Sequence, residues 1–209
     1  MIKVISFDLD GTLAEEEFDT IIWFEEIPKL YAKKYKIPIK KAKKFVFAEY
    51  NKFRHDHRWT DVGFWFEHFE LENWQKLLDD LKHKIRLFPD TIPVLKELNK
   101  KYELIIITSS EKKFLELKLD AENLRNYFEY IFSMPTDFRQ LRKDETVYLK
   151  ILDKLKIKPD EIIHIGDNEG FDYKAPKKVG IKAYILDRKK ERKGSHVIHD
   201  LYQLKEKLL

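Results

Sequence analysis

Apolar positions follow three successive patterns along this 209-residue chain. Lys3-Val-Ile-Ser-Phe7 is a short apolar, β-branched run that stops at Asp8 and predicts a buried strand. From Glu15 to about Ile85 no comparable strand pattern occurs. Helical spacing recurs instead, through Ile22, Phe24 to Tyr35 and Phe45 to Phe53, punctuated by Pro28 and Pro38. From Phe88 onward short buried strands alternate with helices. Helices are expected at Pro93–Lys100, Lys112–Leu119, Glu145–Leu155 and Tyr173–Val179. Strands are expected at Glu103–Thr108, Tyr130–Ser133, Glu161–Gly166 and Lys182–Leu186. That alternation predicts an α/β fold with a parallel sheet covered on both faces. The first strand precedes the helical block and the others follow it, so the block reads as an insertion: residues 15–85 within a discontinuous core of 1–14 and 86–209.

Composition narrows the class. The hydrophobic fraction of 43% supports a real core, and the absence of cysteine excludes disulfides and thiolate metal sites. No apolar run approaches the roughly 18–20 residues of a membrane span. The N-terminal stretch turns acidic too soon for a secretory signal, so a cytoplasmic location is expected. Charged residues make up 37% of the chain but leave a net charge of only +4. Both signs are interspersed and glutamine is scarce, the balance expected of proteins from hot environments, where ion-pair networks gain value. The slight basicity suits an anionic substrate and is too weak to indicate nucleic acid.

Candidate chemistry gathers where strands end. In Asp8-Leu-Asp10-Gly-Thr12, alternate residues of an extended segment place two carboxylates on one side, and Gly11 permits a sharp turn. Such a pair suits a divalent ion, or a nucleophile with an acid–base partner; alone, it also fits turn and helix-capping aspartates. Thr108-Ser109-Ser110 closes the second core strand, where hydroxyls and free N–H groups form an oxyanion cradle or a plain helix cap. Lys143 precedes a helix and could reach an anion as a point charge. Gly166-Asp167 closes the fourth core strand, with Asp172 about one turn further on. All four lie at the carboxyl edge of one sheet, where open α/β sheets bind ligands.

Together, Asp8-Leu-Asp-Gly-Thr12, Thr108-Ser109, Arg142-Lys143 and Gly166-Asp167 with Asp172 resemble the four ordered motifs of the haloacid dehalogenase superfamily. Phe88-Pro-Asp-Thr-Ile-Pro-Val-Leu-Lys-Glu-Leu98 is similar to the segment that precedes the second motif. The resemblance implies a Rossmann-like sheet of order 5-4-1-2-3 with a mobile α-helical cap. The cap resembles that of the subclass holding phosphoglycolate phosphatases, β-phosphoglucomutases and the haloacid dehalogenases. Dehalogenases typically carry an aromatic residue where Asp10 stands, so the resemblance implies phosphoryl transfer. The motif-three cation is Lys143 or Arg142, and Asp144 occupies a place where proline is frequent.

The implied enzyme is a magnesium-dependent phosphatase of small phosphomonoesters. Asp8 is the implied nucleophile and Asp10 the acid–base. Magnesium ligands are implied at Asp8, Asp167, Asp172 and the backbone carbonyl of Asp10. Thr108, Ser109 and the motif-three cation are implied to hold the phosphate. Alternatives are a phosphomutase of the β-phosphoglucomutase type and, further off, a 2-haloacid dehalogenase or a non-catalytic binding protein. The partner is a small phosphorylated metabolite, with no nucleic acid or membrane, in a monomer or homodimer. The cap's aromatic residues read mainly as bundle core, with Trp59 and Trp65 as candidates for the cleft. Lysines 33, 34, 40, 41, 43 and 44 read as a solvated face, and His164 as a hydrogen-bonded core histidine.

Overall fold

The computed structural model describes residues 1–209, the side chain of Glu122 excepted. Strand β1 (Val4–Phe7) is followed by five helices: α1 (Glu17–Ile21), α2 (Ile27–Tyr35), α3 (Ile39–Lys52), α4 (Val62–His68) and α5 (Trp74–Leu81). A π-helical turn, Ile22–Glu26, joins α1 to α2. The prolines act as starts: Pro28 lies in the first turn of α2 and Pro38 caps α3. The core then resumes with α6 (Thr91–Leu98), β2 (Glu103–Thr108), α7 (Lys112–Asp120), β3 (Tyr130–Ser133) and α8 (Glu145–Leu155). It ends with β4 (Ile162–Gly166), α9 (Ala175–Lys178), β5 (Lys182–Leu186), β6 (Val197–Ile198) and α10 (Leu201–Leu208).

All strand pairs are parallel, in the order β3-β2-β1-β4-β5-β6. The expected order is present, with β6 added beyond β5. A two-residue strand is too short to show as an apolar run. The helix expected at Tyr173–Val179 is also different: a π-helical turn, Glu169–Lys174, leads into the four residues of α9. Asn168 drives that turn, its Oδ1 accepting from the N–H groups of Gly170 and Phe171 at 3.0 Å each.

Both sheet faces are buried, as parallel strands require. Ile5, Phe7, Leu104, Ile106, Ile163 and Ile165 face α6, α7 and α10. Val4, Ile105, Ile107 and Ile162 face α8 and α9. The helical insert has its own cluster, including Ile22, Trp23, Val46, Tyr50, Trp65 and Phe69, and Phe114 of α7 enters it from the core. The insert leaves and rejoins the core through two segments that pair with each other. Ala14 and Leu87 form an antiparallel bridge, Glu15 N–H donates to Arg86 O at 2.9 Å, and Phe88 N–H donates to Leu13 O at 3.0 Å. Among the described residues no helix is long and apolar enough to cross a membrane.

Candidate active site

Asp8 follows β1 directly, and its N–H donates to Ile165 O on β4 at 2.8 Å. That bond fixes the segment against the strand that delivers Asp167. One carboxylate oxygen from each of Asp8, Asp167 and Asp172 lies within 4.8 Å of the others. Two glycines make the room. Gly11 has φ +73°, and a Cβ there would meet Asp167 Oδ2 at 2.7 Å; a Cβ on Gly166 would collide with the Asp172 side chain. The donor set is entirely carboxylate, which matches a hard cation such as magnesium.

Lys143 is the inward motif-three cation. Its Nζ lies 2.6 Å from Asp8 Oδ1 and 2.5 Å from Asp172 Oδ1, and donates to Ile107 O at 3.2 Å. Arg142 is exposed, with its guanidinium over the Phe171 ring. One ammonium therefore faces three carboxylates, leaving an excess of negative charge that a divalent cation would balance.

The proton affinities follow from this crowding. Burial pushes the Asp8 carboxyl well above its usual value, with Lys143 opposing and Asp172 and Asp167 reinforcing the rise. Asp167 is pushed up to about 6, by burial first and by Asp172 second. Asp172 goes the other way: burial would raise it, but Lys143 and the His164 hydrogen bond hold it below the ordinary carboxylate range. Burial disfavours the Lys143 ammonium, yet Asp172 and Asp8 raise it above its ordinary value.

His164, on β4, is buried and hydrogen-bonded. Its Nε2 lies 3.0 Å from Asp172 Oδ1 and its Nδ1 2.8 Å from Ser6 Oγ. Burial holds the ring below its ordinary value. A carboxylate only accepts, so in the neutral ring Nε2–H donates to Asp172 and Nδ1 accepts from Ser6. Asp172 Oδ2 accepts from Asn168 N–H at 3.0 Å.

Thr108 is buried at the end of β2, its hydroxyl oxygen accepting from Ser110 N–H at 3.0 Å. Ser109 and Ser110 line a cavity of about 730 Å³. Asp10 lines the same cavity, but its carboxylate is not part of the three-carboxylate cluster. It is held instead by Lys118 of α7, whose Nζ also donates to Asp19 Oδ2 of α1 at 2.8 Å. Burial opposes the Lys118 ammonium, while Asp10 and Asp19 raise it above its ordinary value. Asp19 is pushed up to about 6 by burial, with Lys118 opposing.

Lys118 and Asp19 escape a reading of motifs. A signal existed: α7 presents Phe114, Leu115 and Leu119 as its buried stripe, and Lys118 sits in that stripe with 0% exposure. A lysine on an apolar face needs a buried partner.

The cavity's other walls come from the insert, including Trp23, Phe24, Tyr50, Arg54 and Trp59. Trp59 thus lines the cleft, whereas Trp65 does not. Trp65 is fully buried inside the insert, its indole N–H donating to Trp59 O at 2.8 Å. Of the lysine run, 33, 34, 40, 41 and 44 are exposed and 43 is half-buried.

A profile of haloacid dehalogenase-like hydrolases matches residues 5–186. The chain belongs to the haloacid dehalogenase-like hydrolases. A crystal structure of a HAD phosphatase from Thermococcus onnurineus superposes with a TM-score of 0.85 at 29% identity, covering 99% of this chain and 98% of that one. The GMP/IMP nucleotidase YrfG of Escherichia coli is 22% identical over 169 residues, 80% of this chain and 75% of that protein. The magnesium-bound HAD hydrolase YfnB of Bacillus subtilis shares the fold, with a TM-score of 0.70 at 16% identity over 99% of this chain and 98% of that one.

Proposed function

We propose that this hydrolase is a magnesium-dependent phosphatase of small phosphomonoesters that works through a phosphorylated Asp8. The observation that carries the reading is the division of labour among the carboxylates. Asp8, Asp167 and Asp172 converge on one point, while Asp10 stands apart with its own cation. A cluster fit for a metal and a separate acid–base group are what phosphoryl transfer needs.

An Asp8 oxygen attacks phosphorus in line and the bond to the ester oxygen breaks. Asp10 gives its proton to the departing alkoxide. A water then attacks the aspartyl phosphate, passing its proton to Asp10, and the Asp8–phosphorus bond breaks to release phosphate. Lys143 steadies the negative charge around Asp8, and Ser109 with neighbouring N–H groups holds phosphoryl oxygens. Magnesium held by Asp8, Asp167 and Asp172, together with the Asp10 carbonyl, would supply charge neutralisation on the phosphoryl group.

We further propose that residues 15–85 act as a mobile cap that sets the choice of ester. The cavity between insert and core has aromatic walls and two guanidinium groups, Arg54 and Arg142. Such walls fit a flat leaving group, and the similarity to a GMP/IMP nucleotidase makes nucleoside monophosphates the esters to try first. The deciding experiment is phosphate release from a panel of phosphorylated metabolites, with magnesium and with excess chelator. Release from nucleotides or sugar phosphates that chelator abolishes is the expected result. No release from any ester, or release indifferent to chelator, would overturn the reading.

A further inference from the structure

Lys118 is a fully buried lysine, one of whose two carboxylate partners is Asp10. The other, Asp19, belongs to the insert. One ammonium thus ties the segment after β1, the core helix α7 and the first helix of the insert. Holding a charge there is costly, because a buried ion loses its hydration and its partners must offset that loss. An apolar residue would fill the same stripe position without that cost. What it could not do is fix a carboxylate.

The contact is specific to one oxygen. Lys118 donates to Asp10 Oδ1, while Asp10 also lines the cavity. An oxygen that already accepts from an ammonium is a poor place for a proton. Oδ2 is then the oxygen left to carry the proton and to meet the leaving group. We infer that Lys118 is a positioning residue: it holds Asp10 in the rotamer that presents Oδ2 to the ester oxygen, and Asp19 holds Lys118 in turn. The inference rests on the phosphatase reading above. It assigns Lys118 no contact with substrate. It also links the insert to Asp10, because loss of Asp19 from its place removes half of the anchor.

A matched pair of substrates isolates this role. 4-Nitrobenzyl phosphate and 4-nitrophenyl phosphate are close in size and shape. The first expels a strongly basic alkoxide that needs a proton; the second expels a stable phenolate that does not. The quantity to read is kcat/KM, which reports steps through departure of the leaving group. Lys118→Met is expected to lower kcat/KM for the benzyl ester by ~10²-fold or more, the scale of acid–base help, and for the phenyl ester by less than ~10-fold. Lys118→Arg should recover much of the benzyl activity. Asp19→Asn should shift the benzyl-to-phenyl ratio in the same direction by a smaller factor, and it supplies the test where Lys118→Met fails to fold. Equal losses on both esters in folded Lys118→Met, or an unchanged ratio in Asp19→Asn, would overturn the inference. A wild-type protein that releases phosphate neither from these two esters nor from the metabolite panel would instead bring down the phosphatase reading itself.

Discussion

Phe114 of α7 stacks on Trp23 of the insert, with ring centroids 5.3 Å apart and planes inclined by 22°. Phe18 of α1 meets the Phe114 ring edge-on at 5.7 Å. One turn further along α7 lies Lys118, and one residue before Phe114 lies Lys113, which donates to Asp61 at 2.7 Å. The insert therefore meets α7 through an aromatic contact flanked by two lysine–carboxylate contacts. The same helix follows the Thr108–Ser110 segment, so seating of the insert and the shape of the Ser109–Ser110 wall of the cavity share one support.

Replacing Asp8, the proposed nucleophile, should remove turnover without removing the fold. Asp8→Asn keeps the side-chain volume and lessens the excess of negative charge beside Asp167 and Asp172. The expected loss in kcat is several orders of magnitude, with far-UV circular dichroism unchanged. Undiminished phosphate release would remove Asp8 from the mechanism.

Lys143 answers a different question, because its loss affects both stability and chemistry. Lys143→Met leaves two buried carboxylates, Asp8 and Asp172, without their shared ammonium. Breaking a buried pair from one side typically costs about 3–5 kcal/mol. Thermal unfolding should therefore shift downward, and added magnesium should restore part of the shift by replacing the missing positive charge. A melting temperature equal to wild type without magnesium would mean that the ammonium is not the counter-charge described. Arg142→Met, by contrast, should leave stability near wild type, since that side chain is exposed.

Two tryptophans separated by five residues should behave oppositely. Trp59→Ala alters a cavity wall, so relative kcat/KM among phosphate esters should change more than hydrolysis of a minimal aryl phosphate does. Trp65→Ala empties the centre of the insert, at a cost of about 3–5 kcal/mol. Where the Trp65 variant stays folded, its ranking of esters should match wild type. The reverse pattern would exchange their assignments.

The insert also carries an acid-sensitive contact. Lys52 holds the Glu49 carboxyl below its usual value by a hydrogen bond, with His68 assisting. A carboxyl depressed in the folded state contributes stability above its unfolded pKa and loses it as pH falls through its folded value. The melting temperature of Glu49→Gln should thus lie below wild type at neutral pH. The difference should persist down to about pH 5 and close below about pH 4, from the ordinary glutamate value of ~4.3 downward. A difference that fails to close below about pH 4 would show the sign to be wrong.

The core was largely readable because its strands are buried on both faces and stop at chemically marked residues. Glu103–Thr108 and Tyr130–Ser133 have the bounds expected from their apolar runs. Asp8, Lys143, Asp167 and Asp172 meet, as their positions at strand ends implied. What escaped depends on contacts remote in sequence. Asp10 and Lys118 are 108 residues apart, and no local pattern reports that one holds the other. The choice between Lys143 and Arg142 turns on which side chain the loop before α8 directs inward. Trp59 stands between Arg58 and Thr60 and Trp65 between Phe64 and Phe66, but which of the two lines the cleft is decided by the packing of the insert. The Arg188 guanidinium is a further example: it joins Asp90 at 3.0 Å and covers the Phe88 ring, linking the far end of β5 to the base of the insert.

Strand β1 lies in the middle of the sheet, with β2 on one side and β4 on the other. As the chain leaves the ribosome, this apolar strand emerges well before either neighbour. At ~5–20 residues per second, about 8 to 30 s separate the appearance of β1 from that of β4. Until Ile162–Gly166 is available, β1 can pair only with β2, and Asp8 has neither the Ile165 carbonyl for its N–H nor Asp167 beside it. The insert, whose cluster draws mainly on residues 18–85, can gather its own apolar surface during that wait. Nascent chains halted before residue 162 should therefore expose the β4-facing edge of β1 to chaperones and proteases while the helical insert is already compact, and the edge that bears the aspartates should be among the last parts to mature.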